Sequence, residues 1–153
     1  MVSFNSIQAQ LVKTDAQVGN VGVEDVKALA YVLAPSEQIM VCLKGILGRT
    51  TGTLCATDKR LLFVNKKDNR MVVVEVSYES ISDIVHFEKG WSAHILVTAD
   101  NNVHQFRSWR KRQAKDAHMH ILRHLSYVRE LSKDVSESTF VVPKKFARLA
   151  RAA

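Results

Sequence analysis

The 153 residues include only two cysteines, two prolines and six glycines, and 7% of the side chains are aromatic. Cys42 and Cys55 are 13 residues apart, a spacing that matches no metal-binding or redox motif. Each sits in an apolar, strand-like run, where a thiol behaves as a small buried hydrophobe. The start, Met1-Val2-Ser3-Phe4-Asn5, lacks a basic segment followed by an apolar one. Both thiols are therefore expected to be reduced in a cytoplasmic setting, with a disulfide left open if their strands lie side by side. Low glycine and proline with 46% hydrophobic residues exclude a collagen-like repeat and disorder of the whole chain. Apolar runs are short, and Glu75 interrupts Met71 to Val76, so no membrane-spanning helix is expected. Catalytic signatures are missing too. There is no nucleophile elbow, phosphate-binding glycine loop or His-Glu-Xaa-Xaa-His, and the carboxylates are scattered. The chain is read as a non-enzyme with no cofactor.

What is present is charge, unevenly placed. The net +7 distributes as −2 over residues 1–37, +1 over 38–100, +5 over 101–131 and +3 over 132–153. A basic end of this kind attracts phosphates, anionic lipid headgroups or acidic protein surfaces. It also serves solubility alone.

The hydrophobic period changes twice along the chain. Ser6 to Lys13 reads as a short helix. Val23, Val26, Leu29, Ala30 and Leu33 recur at helical spacing, with Glu24 and Asp25 in the first turn and Pro35 beyond the end. From Ile39 the period is two. Strands are expected at Ile39–Leu47, Thr53–Ala56, Leu61–Asn65, Met71–Ser77, Ile81–Lys89, Trp91–Ala99 and Val103–Arg107, with Asp100-Asn101-Asn102 as a hairpin turn. Trp91, Ala93, Ile95, Val97 and Ala99 are expected to share a face. Helical spacing then returns in Ala114, Ala117, Ile121, Leu125, Val128 and Leu131, a stripe of about twenty residues capped by Ser108 that must bury against the sheet. The expected divisions are a helical extension over 1–35, a domain over 36–131 and a basic tail over 132–153.

Seven closely spaced strands followed by one helix is the element order of a pleckstrin-homology (PH) barrel. Thr57-Asp58-Lys59-Arg60-Leu61-Leu62-Phe63-Val64, then Tyr78, Ile81 and Ile84, then Phe87-Glu88-Lys89-Gly90, resemble the bacterial YokE-like PH domains over about residues 33–131. The resemblance implies an α+β protein: a PH-like seven-stranded antiparallel split barrel capped by a C-terminal helix. It also implies a non-catalytic interaction or oligomerisation module. In the motif, Asp58 is expected to accept N–H bonds in its own turn, with Lys59 and Arg60 exposed at the corner.

Three groups of residues are candidates for contact. Lys44, Arg49, Lys66, Lys67 and Arg70 occupy the loops and hairpins where PH domains gather phosphates, although the first hairpin holds just two cations. Arg110, Lys111 and Arg112 crowd the start of the last helix, where the dipole disfavours cations. They form an anion site, or lie in a loop if the helix starts at Lys115. In the tail, Phe146 and Leu149 share a face, with Lys144, Lys145, Arg148 and Arg151 around them, as in a short basic amphipathic helix suited to anionic membrane or to another subunit. His120 and His124 are four apart on one helix face, but no Asp, Glu or Cys at complementary helical spacing completes a metal site, which would need a strand residue. They read as surface histidines whose protonation would add positive charge. The favoured partner is protein, including a second copy. An anionic membrane surface is the alternative, giving a peripheral location. Nucleic acid follows, because Trp109 beside Arg110 to Arg112 is the sole stacking candidate.

Overall fold

A computed structural model describes residues 2–13, 23–67 and 69–139, with side chains described for 2–10, 24–67 and 69–131. Two helices, α1 (Phe4–Lys13) and α2 (Val23–Val32), precede seven strands. These are β1 (Ile39–Leu47), β2 (Thr50–Thr57), β3 (Arg60–Lys67), β4 (Arg70–Ser77), β5 (Ile81–Lys89), β6 (Ser92–Ala99) and β7 (Asn102–Ser108), and the chain continues into α3 (Lys111–Thr139). All neighbouring pairs are antiparallel, in the order β4-β3-β2-β1-β7-β6-β5. The β1–β7 seam is short, with Ile46 opposite Arg107 and Leu47 opposite Phe106. The sheet is thus two halves joined at one end of β1, a split barrel capped by α3.

Period-two patterning fixes which side chains face inward. Leu43, Leu54, Leu61, Phe63, Ile84, Ile95, Val97 and Phe106 fill the barrel, and Ala114, Ala117, Ile121 and Leu125 of α3 close it. Phe63 and Phe106 meet edge to face across this core, with centroids 6.2 Å apart. Two glycines permit the curvature: a Cβ at Gly45 would strike Phe106 and the Arg107 carbonyl, and one at Gly52 would strike Phe63 and the Val64 carbonyl. Asp100 and Asn101 both take positive φ, 50° and 63°, which is the conformation a tight β6–β7 hairpin needs.

The outward faces of β1, β2 and β3 carry a second core. Ile7, Val26, Leu29 and Leu33 of the helical segment bury against Ile39, Cys42, Cys55, Leu62 and Val64. Polar anchors set the docking. Asp25, itself buried, accepts from Thr53 Oγ1 (2.8 Å) and the Lys66 N–H (3.3 Å), and Gln10 Oε1 accepts from the Ile39 N–H (2.8 Å). Cys42 and Cys55 lie directly opposite each other beneath these helices, as free thiols with Sγ atoms 2.6 Å apart. Burial first, and then the Cys42 neighbour, push the Cys55 thiol well above its ordinary value.

Several expectations are corrected. Arg60 is not exposed at the corner. Its Nε and Nη2 donate to the two carboxylate oxygens of Glu37 at 3.0 and 2.9 Å, Nη2 also donates to the Val32 carbonyl at 2.8 Å, and Nη1 lies 3.1 Å from Glu75. Glu37 is 1% exposed and accepts further bonds from Thr57 Oγ1 (2.6 Å) and the Ala34 N–H (3.1 Å). The turn N–H groups of Lys59 and Arg60 go to Thr57 Oγ1. Asp58 instead reaches across to the Gln38 N–H (2.9 Å) and returns its own N–H to the Gln38 carbonyl. Ser108 is not the helix cap: the Arg110 carbonyl accepts the first helical bond, from Ala114, and Ser108 Oγ accepts from the Arg110 N–H. Trp91 does not join the inward face of β6; it sits 91% exposed in the preceding turn. The α3 stripe ends with Leu131 exposed, because the helix has by then passed the barrel.

Desolvation raises the Glu37 carboxyl, but the Arg60, Thr57 and Ala34 hydrogen bonds outweigh it and hold the group below 4.5. The unfolded chain therefore takes up this proton first, so the stability Glu37 contributes is full above about pH 4.5 and is lost as pH falls through the folded value. Urea midpoints measured against pH should fall on acidification in the parent and flatten in Glu37→Gln, and Arg60→Ala should cost about 3–5 kcal/mol at neutral pH. Gly52→Ala should cost about 1–3 kcal/mol through overpacking against Phe63, read in the same titrations.

Candidate functional site

A sheet of seven strands that does not close leaves two edges, and here they differ. β5 carries Asp83, Glu88 and Lys89, all exposed, with a register irregularity between Ile81 and Asp83. Charges and bulges of this kind blunt an edge against further pairing. β4 reads Arg70-Met71-Val72-Val73-Val74-Glu75-Val76, and among the described residues it pairs with β3 alone. Val74 lies opposite Phe63 and Val73 opposite Val64, so Val72 and Val74 share the barrel face, and Met71 and Val73 the outer face. Met71, Val72 and Val73 are 46%, 42% and 37% exposed. The apolar core does not extend over them, because α2 packs on β3 and stops short of β4. Glu75, the single anion on this strand, is turned toward Arg60.

The sequence-selected cations fall into separate groups. Lys67 lies opposite Arg70, and Lys66 opposite Met71, on the β3–β4 hairpin. Asn65 Nδ2 donates to the Thr51 carbonyl, and the Gly48 N–H donates to the Gln105 carbonyl (3.2 Å). These bonds bring the β1–β2, β3–β4 and β6–β7 hairpins to one end of the sheet, with Arg49, Lys67 and Arg70 exposed there. Lys66 is engaged elsewhere, its ammonium 5.6 Å from the centre of the Tyr31 ring. Lys44 is exposed on β1, and its carbonyl accepts from Ser108 Oγ (2.9 Å) beside the start of α3. Lys111 and Arg112 stand in the first turn of α3, which has no acidic residue, with Arg110 immediately before it. The boundary at Lys115 is thereby excluded. Lys144, Lys145, Phe146, Arg148, Leu149 and Arg151 lie outside the described residues.

The histidines behave differently from their spacing. His124 Nε2 is 3.0 Å from the Asp58 carbonyl and its ring packs on Tyr78 at 4.6 Å, while His120 is exposed, so the two do not form a pair. Tyr78 donates to the Thr57 carbonyl, and burial raises its hydroxyl far above the ordinary range. His94 packs flat on Phe87 at 4.8 Å, between Ser92 and Gln105. Burial, then the charges of Arg107 and Lys89, hold His94 below 6.5. The Arg107 guanidinium lies 5.9 Å from the Trp109 ring, which therefore offers a face already occupied by this protein's own cation. Sequence reasoning allowed for self-association through an exposed strand edge but did not single out β4: nothing local says that, among the described residues, no further strand pairs with it.

Among the described residues, no helix is long and apolar enough to cross a membrane, and no group of three or more His, Cys, Asp or Glu side chains gathers as a metal site would need. A sequence profile of the bacterial PH domain matches residues 33–122. Two solved structures share the architecture. The Vps36 N-terminal PH domain superposes with a TM-score of 0.50 at 12% identity, over 63% of this chain and 84% of that one. A pleckstrin homology domain from Shewanella amazonensis SB2B gives 0.51 at 15% identity, over 65% and 93%. At these identities the likeness is one of fold. No curated protein matches the chain. PH domains are generally binding modules rather than enzymes. With its barrel and the greater part of its length matched by the profile, this chain belongs to the bacterial PH domain family.

Proposed function

We propose that the chain is a non-enzymatic cytoplasmic interaction module of the YokE-like branch that self-associates by pairing the β4 strands of two copies. The observation that carries this reading is the β4 edge, which among the described residues pairs on one side only and is half-exposed and apolar on both faces from Met71 to Val73. Unpaired backbone groups beside apolar side chains are a template for another strand. The strand suits a second copy of itself. An antiparallel register centred on Val73 sets Val72 against Val74 and Met71 against Glu75. Apolar groups then meet on both faces and no like charges are opposed.

A second reading has its own observation. Arg49, Lys67 and Arg70 converge on the end where three hairpins meet, which gives that end the cations to rest on an anionic membrane surface as a peripheral protein.

Light scattering across a concentration series should show mass rising toward a dimer. Val73→Lys should hold the chain monomeric while it stays folded by circular dichroism, with a melting temperature that no longer rises with concentration, and Val85→Lys on the β5 edge should leave assembly intact. A strict monomer up to millimolar concentration removes the self-association reading. Sedimentation with phosphatidylglycerol-containing vesicles should retain the parent and lose the Arg49→Glu, Lys67→Glu, Arg70→Glu variant. Equal partitioning onto neutral vesicles removes the membrane reading.

A further inference from the structure

Strand pairing, and no sequence motif, brings the two cysteines together. The β1–β2 ladder sets Cys42 directly opposite Cys55, and the register runs unbroken from Val41 opposite Ala56 to Leu47 opposite Thr50. Both side chains belong to the outer core beneath the helices, and their Sγ atoms meet at 2.6 Å as free thiols. Residues directly opposed across an antiparallel pair have Cα atoms about 4.5 or 5.5 Å apart, according to their hydrogen bonding. A disulfide accepts Cα separations of about 4.4–6.8 Å. The bond therefore forms without a shift of either strand, whichever kind of pair this is.

The helical segment separates the pair from solvent. Cys42 and Cys55 are 7% and 0% exposed, and Ile7 of α1 with Val26, Leu29 and Leu33 of α2 lie in the same cluster. The buried carboxylate of Asp25 ties α2 down, through Thr53 on β2 and the Lys66 N–H on β3. A segment docked on a sheet opens at lower cost than the sheet itself unfolds. Cys42 is the outer of the two thiols. Burial first, and then the Cys42 neighbour, keep the Cys55 thiol protonated, so Cys42 is the sulfur that meets an incoming reagent.

We propose that Cys42 and Cys55 are an oxidative modification site, at which a peroxide-class oxidant forms an intramolecular disulfide stapling β1 to β2, at a rate set by opening of the helical segment. The Cys42 sulfur attacks one peroxide oxygen and the O–O bond breaks, leaving a Cys42 sulfenic acid and, from hydrogen peroxide, one water. The Cys55 sulfur then displaces the sulfenic hydroxyl. The S–O bond breaks, the S–S bond forms, and the hydroxyl leaves with the Cys55 proton as a second water. The two sulfurs together give up two electrons, and the peroxide takes both. A dithiol reductant reverses the modification by exchange. The staple closes the short β1–β2 loop and so stabilises the folded chain. It goes beyond the self-association reading and is independent of it, since β3 stands between β2 and the β4 edge.

The test treats the full, reduced chain with hydrogen peroxide, alkylates remaining thiols with iodoacetamide under denaturing conditions and reads the intact mass. The expected product is a single chain lighter by two hydrogen atoms, with neither cysteine alkylated. Its melting temperature should be several degrees higher and should fall back on adding dithiothreitol. Asp25→Ala, which frees the segment, should speed the reaction about tenfold. Cys55→Ala should stop at the Cys42 sulfenic acid, trapped as its dimedone adduct. Should a variant fail to fold, the mass of the oxidised parent decides. A parent that stays fully alkylated, or that links into disulfide-bonded dimers, overturns the site. An unchanged rate in folded Asp25→Ala overturns the control by the helical segment.

Discussion

A carboxylate almost sealed from water holds the helical segment in place on the sheet. Glu37 sits in the link between α2 and β1 and is held by Arg60 from the turn into β3, by Thr57 from the end of β2, and by the Ala34 N–H. The same guanidinium takes the carbonyl of Val32 at the end of α2 and reaches Glu75 on β4. A buried charge is tolerated when its partner is close, bidentate and further hydrogen-bonded, and all three conditions hold here. The pair therefore does more than close a corner. It fixes where the helical segment leaves the sheet, and so which outer faces the helices can cover.

That placement produces the asymmetry on which the functional reading rests. The helices cover the outward faces of β1, β2 and β3, where Ile7, Leu29 and Leu33 meet Leu62 and Val64. They stop before β4, whose apolar side chains remain in contact with solvent on both faces. The opposite edge, β5, bears Asp83, Glu88 and Lys89 beside the partly exposed Val85 and Phe87, and packs against α3, which brings His118 against His86. One edge is thus suited to meeting another strand, and the other to holding the capping helix in place. Basic side chains at the shared end of three hairpins add a third surface, distinct in chemistry from either edge.

How much of this was legible in the chain varies with the range of the interaction. The strand series and the long C-terminal helix follow from the period of the apolar residues, and the β6–β7 turn from Asp100-Asn101-Asn102. The motif from Thr57 to Val64 was recognisable, but its chemistry was not. Lys59 and Arg60 read as a solvated corner, since nothing local tells that a glutamate 23 residues earlier returns to pair with one of them. Cys42 and Cys55 matched no motif, yet the β1–β2 register sets them face to face. His120 and His124 matched a helical spacing, yet one is bonded to the Asp58 carbonyl and the other faces solvent.

The order and type of the elements, the inward face of each strand, the stripe by which α3 plugs the barrel and the surplus of cations toward the end were all determined by the sequence itself. Periodicity and composition are local quantities, and a chain carries them whatever it packs against. Only the tertiary structure decided that Arg60 is buried, that β4 stands open while β3 is covered, and that His86 meets His118. Each of these depends on which distant segment arrives at a surface, a matter of strand order and helix docking that no window of neighbouring residues contains.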